Sequence, residues 1–265
     1  MKPLLFTLRG NNFLLFHILP FIFCYFFFFS SNAISQSWSS LGLGTNDDIN
    51  ALVVYNNELV AGGDFTSAGG IGANRIAKWN GSAWSSLGLG LNGSVEALTV
   101  YNGELIVGGT FTSVGGISAN RIARWNGSNW LLVGSGFNDD VLALTVYNGE
   151  LIAGGRFTSS GGNSVNRIAR WNGSSWSSLG LGLNEHVHAL ATYSNELVVG
   201  GAFTTAGGIS ANRIAKWNGN SWSALGLGVN DEVRALVNHS SGLIVGGSFT
   251  TIGGVTVNRI ARWAG

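Results

Sequence analysis

A 46-residue unit repeated five times, short apolar runs separated by turn residues inside every unit, and no helical period anywhere predict an all-β chain. The fold class is a five-bladed β-propeller with four antiparallel strands per blade, closed by its N-terminal strand. Trp38, Trp84, Trp130, Trp176 and Trp222 mark the repeat starts, 46 residues apart, and Trp79, Trp125, Trp171, Trp217 and Trp263 keep the same step. Residues 36–265 amount to 230 residues, five such units without an insertion.

One unit can be followed from Asn46 to Gly88. Ile49 to Tyr55 and Glu58 to Gly62 are β-branched and apolar runs meeting at Asn56-Asn57, where the next two units carry Asn-Gly, a strong hairpin signal. A longer loop, FTSAGGIGA, follows. Asn74 to Trp79 reads as the third strand, Asn80-Gly81 as a turn, and Trp84 to Leu87 as the fourth strand. Such a sheet is apolar on both faces and is stable only when neighbours cover it.

The phase of the repeat supplies the closing element. Trp38 to Leu41 is a fourth strand with no preceding three, and Asn258 to Trp263 a third strand with no following fourth. Pairing the two would remove a pair of exposed sheet edges, so residues 36–45 are expected to complete the last blade. A closed ring of this kind is expected to be a monomer.

Residues 1–35 read as an export signal. Lys2 and Arg9 supply positive charge, Phe13 to Phe29 is an uncharged apolar run, and Ala33 and Ser35 are small residues at cleavage spacing, which places cleavage after Ser35. An uncleaved membrane anchor is the alternative, since 17 apolar residues sit at the short end of what spans a bilayer. The expected location is secreted, extracellular or at the cell surface. The single Cys, the single Met and both Pro fall in this segment, so residues 36–265 contain no disulfide, thiol nucleophile or thiolate metal site. With 12 basic against 13 acidic residues there, neither nucleic acid nor an anionic membrane is an expected partner.

Segments such as ELIVGGTFTSVGGISANRIARWNGSNW (104–130) resemble the repeats of secreted bacterial propellers of the Kelch and delta-sixty type: an apolar strand, a Gly pair, then aromatics flanking a turn. The resemblance covers all five units and implies the fold; propellers host unrelated activities, so it leaves the function open. Galactose-oxidase-like relatives need a Cys crosslinked to a Tyr, and sialidase-like relatives carry Ser-x-Asp-x-Gly-x-Thr-Trp boxes; residues 36–265 have neither. The motifs of five-bladed animal lectins do not match.

Positions filled alike in all five units serve the blade or form five equivalent ligand sites. The Gly pairs (Gly62-Gly63 and its counterparts) relieve crowding or permit a bulge, and the Trp pairs straddling each Asn-Gly turn favour core packing over sugar stacking. Arg75, Arg121, Arg167, Arg213 and Arg259 are either a structural ring, satisfying backbone carbonyls or bridging blades, or a five-fold anion or sugar site. Asn80, Asn126 and Asn172 match glycosylation sequons and are also the Asn of the hairpin turns.

Positions that differ between units are where an asymmetric ligand would be read, and all should lie at one mouth of the channel. Before the first strand stand Asp47-Asp48, Gly93-Ser94, Asp139-Asp140, Glu185-His186 and Asp231-Glu232; early in the first strand, Asn50, Glu96, Leu142, His188 and Arg234; after the Gly pair, Asp64, Thr110, Arg156, Ala202 and Ser248. Nine of the 13 carboxylates are among them. They suit a polar ligand or a cation such as calcium, or form a solvated rim, but their spacing matches no compact metal loop. No metal or cofactor is assigned. The expected function is a non-catalytic binding or scaffold module for a carbohydrate, surface component or protein; the alternative is a hydrolase or lyase at the mouth, with His186, His188 and Glu96 as candidates.

Overall fold

The computed structural model describes residues 37–265; the signal-like segment lies outside them. Contacts separate the chain after Ser39, and residues 40–265 form one unit. Its architecture is five consecutive β-blades, the five-bladed β-propeller expected. In the first blade, strands Ile49–Tyr55, Glu58–Gly63, Ile76–Trp79 and Trp84–Ser86 pair antiparallel in that order. The following three blades repeat this four-stranded order. The first strands (Ile49–Tyr55, Val95–Tyr101, Val141–Tyr147, Val187–Tyr193, Val233–His239) are packed neighbour to neighbour and are the innermost.

Local chemistry accounts for each turn. Asn56 and Asn57 both take the left-handed conformation (φ 49° and 62°), the twist a two-residue hairpin requires. At the outer turn the Asn80 Oδ1 accepts the backbone N–H groups of Ser82 and Ala83, each at 2.9 Å. The segment expected as a long loop instead holds a small hairpin, Ser67–Ala68 against Ile71–Gly72, turned by Gly69-Gly70 at φ 60° and 82°. Each blade has one, and a side-chain amide anchors its approach: Asn46 Oδ1 accepts from the N–H of Thr66 and Ser67, as its counterparts do in the other blades.

Blade packing explains the Gly pair. A Cβ on Gly62 would lie 2.3 Å from Val95 Cγ1 of the next blade, and one on Gly63 would lie 2.0 Å from the Asp48 carbonyl oxygen of its own blade. The first glycine thus sets how closely blades approach and the second how closely two strands do. Phe65, Phe111, Phe157, Phe203 and Phe249 are fully buried, and Ile76 is sealed between blades one and two, where burial of such a side chain contributes about 1.5–3 kcal/mol.

The closing strand is a correction. Trp38 to Leu41 adopt no strand, and the fifth sheet has three strands, Val233–His239, Gly242–Gly247 and Ile260–Trp263. The first and last innermost strands do not pack together as the other neighbours do. Leu52, on the outward side of blade one, is 59% exposed and Ile260, on the outward side of blade five, is 63% exposed, whereas Ile76, equivalent to Ile260, is 0%. The repeat identifies which faces match, but the angle between successive blades comes from side-chain packing, and here it leaves the two end faces apart.

Candidate functional site

The mouth is built by a bulge. In every innermost strand the register slips at one residue: Asn50 between Ile49 and Ala51, then Glu96, Leu142, His188 and Arg234. A bulge residue is released from the ladder and its side chain is re-aimed. One of the variable positions is therefore the bulge itself, repeated five times with five different side chains.

The other two variable sets converge on it. Asn50 Nδ2 donates to Asp64 Oδ2 (3.1 Å), and the Ser94 hydroxyl donates to Asp64 Oδ1. Asp140 receives Arg156 Nη1 at 3.3 Å and faces Arg121 Nε at 3.6 Å. Glu232 binds Arg234 Nη2 at 2.8 Å and lies 3.8 Å from His188 Nε2, while Arg234 Nε donates to the Ser248 hydroxyl. Glu185 Oε1 lies 2.9 Å from His186 Nδ1 and 3.9 Å from Arg167. Each of the four packed blade junctions is crossed by one of these contacts: Ser94 to Asp64, Arg121 to Asp140, Arg167 to Glu185, His188 to Glu232.

Several acids have a local occupation. Asp47, Asp139 and Asp231 each accept the backbone N–H of the following residue, and Glu185 does the same, so the leading carboxylate of each pair turns its own loop. Asp48 contributes its carbonyl, which accepts the Asp64 N–H at 2.9 Å, while its side chain makes no hydrogen bond among the described residues.

The five arginines lie beneath the mouth. Arg75, Arg121, Arg167, Arg213 and Arg259 all have left-handed backbones, φ 61–66°. Each guanidinium donates to the carbonyl of the residue after the Gly pair: Asp64, Thr110, Arg156, Ala202 and Ser248. Arg75 N–H donates to Phe65 and its carbonyl accepts from Gly63, so the same residue fastens the loop by backbone and side chain. The paired tryptophans are directly opposite across the third and fourth strands, with ring centroids 5.2–5.6 Å apart, and Trp84, Trp130, Trp176 and Trp222 are buried.

Electrostatics single out three groups. Burial pushes the half-buried Glu96 carboxyl above the ordinary glutamate range, the Asp64 and Asp140 carboxylates push it further, and Arg156 opposes them. Among the described residues its carboxylate has no hydrogen-bond or ion-pair partner. Burial holds His188 below the ordinary imidazole value against the pull of Glu232, with Arg234, His186 and Arg156 adding to the depression. The hydrogen bonds from Ser94 and then Asn50 hold Asp64 below the usual carboxylate range. Among the described residues no cluster of three or more His, Cys, Asp or Glu side chains is arranged to hold a metal ion. Ser94 and Ser248, expected at the mouth only as members of the variable sets, prove to be partners of its charged groups, Ser94 of Asp64 and Ser248 of Arg234.

Known proteins place the fold. Among the described residues no helix is long and apolar enough to cross a membrane. No curated protein matches the chain. Similar solved structures include the computationally designed Ika8 protein (20% identity, 79% of this chain and 60% of that one, TM-score 0.50) and the WD40 β-propeller domain of Doa1 (17%, 77% and 62%, TM-score 0.50). The chain spans about three-fifths of the length of each. A family model described as a domain of unknown function (DUF5122) β-propeller matches residues 194–221 and 240–262. The model of the Rax2 C-terminal β-propeller domain matches residues 29–189, more than half of the sequence, and the chain belongs to that family.

Proposed function

We propose that this propeller is a non-catalytic binding module, secreted or held at the cell surface, whose mouth recognises one carbohydrate, surface component or protein partner per chain. Glu96 carries this reading: a half-buried carboxyl at a strand bulge, flanked by Asp64, Asp140 and Arg156 and left without a protein partner. A ligand hydroxyl or cationic group could pair with this carboxyl without displacing a protein partner. The five-fold alternative is disfavoured because the arginines are engaged with carbonyls and the fourth-strand indoles are buried. The apolar segment at 13–29 supports export, with an uncleaved anchor as the alternative. The test is a glycan and surface-protein array followed by calorimetry. One site per chain, lost in Glu96→Gln and Arg156→Ala, is expected; about five sites, or binding indifferent to both changes, would refute the mouth.

The opposite displacement of Glu96 and His188 favours one second reading, a hydrolase or lyase at the same mouth. Turnover of a glycan on incubation, abolished by His188→Ala with the melting temperature preserved, would replace the binding account; intact glycan after prolonged incubation would retire the enzyme.

A further inference from the structure

We propose that the two open end faces are a head-to-tail interface: blade one of one copy seats on blade five of a second copy of this chain. Within the chain, each second-strand glycine of one blade receives the next blade's first strand: Gly62 meets Val95 and Leu98, Gly108 meets Val141 and Leu144, Gly154 meets Val187 and Leu190, and Gly200 meets Val233 and Leu236. Gly246 receives nothing from a following blade. The matching side chains on blade one, Ile49 and Leu52, are 42% and 59% exposed. On blade five Val237 and Ile260 are 58% and 63% exposed, although the equivalent Val53 and Ile76 pack into the junction between blades one and two. The partner that complements blade five is thus written four times in this same chain, and a second copy presents it in blade one.

A cavity at the third-strand edge of blade five, against the segment that leaves blade four, fits the same partner. It has a volume of about 230 Å³ and is lined by Leu225, Gly226, Val245, Gly253 and Trp263 among others. In blade two the corresponding positions, Leu87, Gly88, Gly115 and Trp125, hold Trp130, which donates to the Leu87 carbonyl. The cavity is the seat of a fourth-strand tryptophan that the three-stranded fifth sheet lacks. The sequence WSSL at 38–41 of a second copy carries that tryptophan one repeat ahead of Trp84. Such an interface joins different surfaces on the two copies, so it gives a closed ring if the rotation closes and longer assemblies if it does not.

The chain expressed in full and purified as it accumulates should sediment as a dimer or larger species across a dilution series. Leu52→Asp and Ile260→Asp should each weaken association at least tenfold and leave the far-ultraviolet circular dichroism unchanged; Val54→Asp and Val237→Asp provide a second pair should either misfold. A mixture of Leu52→Asp with Ile260→Asp should recover a dimer, since it retains one intact fifth blade and one intact first blade. A monomer at every concentration, whether its ends stay free or meet within one chain, overturns the proposal. A mixture that stays monomeric does so too, as does association that survives both substitutions and must then arise elsewhere, for instance in the amino-terminal apolar segment.

Discussion

Trp130 Nε1 donates to the Leu87 carbonyl across 3.1 Å, fastening the fourth strand of blade two to the segment that leaves blade one. Trp176 with Val133, Trp222 with Leu179 and Trp84 with Leu41 repeat the relationship. Because the indole is buried, the bond cannot be exchanged for water without opening the junction.

Trp130→Phe should therefore retain most of the ring packing and leave the Leu87 carbonyl only the Gly90 N–H at 3.3 Å, a loss of about 0.5–1.5 kcal/mol. Trp130→Ala should cost about 3–5 kcal/mol. Urea denaturation followed by tryptophan fluorescence measures both, and a Trp130→Phe variant as stable as the parent would show that the hydrogen bond contributes nothing.

Gly200→Ala forces a Cβ to within 2.3 Å of Val233 Cγ1 and should destabilise by about 1–3 kcal/mol or more, whereas Gly246→Ala meets no atom nearer than 3.8 Å. In dilute solution, where copies are apart, the second change should leave the melting temperature within a degree or so of the parent. A loss matching that of Gly200→Ala would mean that blade one covers Gly246 within the same chain.

How much of this was legible in the sequence follows from which contacts are local. The strands and turns could be read because Asn-Gly, the Gly pair and the tryptophans recur in register, and the variable positions could be listed as departures from that register. Their partners could not: Ser94 reaches Asp64 across 30 residues and His188 approaches Glu232 across a blade junction, distances that only packing brings together. The local duty of Asp47, Asp139 and Asp231 was within reach, since an Asp capping the next N–H is a turn habit. The open end was not, because a repeat carries no information about the angle between its copies.

Glu96→Gln should stabilise the fold at neutral pH. The folded-state pKa is raised, so the folded protein holds this proton more tightly than the unfolded chain; stability from Glu96 is full below the ordinary glutamate pKa and is lost as pH rises through the raised value. Melting curves of parent and variant should coincide in acid and diverge toward pH 7, with the variant higher. A variant that melts lower at pH 7 would contradict the electrostatic description of the mouth.

His188 has the opposite sign. Its folded pKa is depressed, so the unfolded chain binds the proton more readily; stability from this group is full above the ordinary imidazole value and is lost as pH falls through it toward the lowered one. The His188 imidazole resonances in nuclear magnetic resonance should titrate below the ordinary imidazole value. A midpoint for His188 at or above the ordinary imidazole value would show that Glu232 outweighs burial.

In the proposed binding module, likeness among blades builds the scaffold and difference at the bulges carries recognition. Replacing Asn50, Glu96, His188 and Arg234 by Leu makes every bulge match Leu142 and removes the difference at those positions. The most direct measurement is calorimetric titration of the parent and this levelled chain with the glycan or surface protein that gives the strongest array signal. The parent is expected to show one site per chain, and a levelled chain that still melts as a folded β protein is expected to give no heat of binding; unchanged affinity in the levelled chain would refute recognition at the bulges.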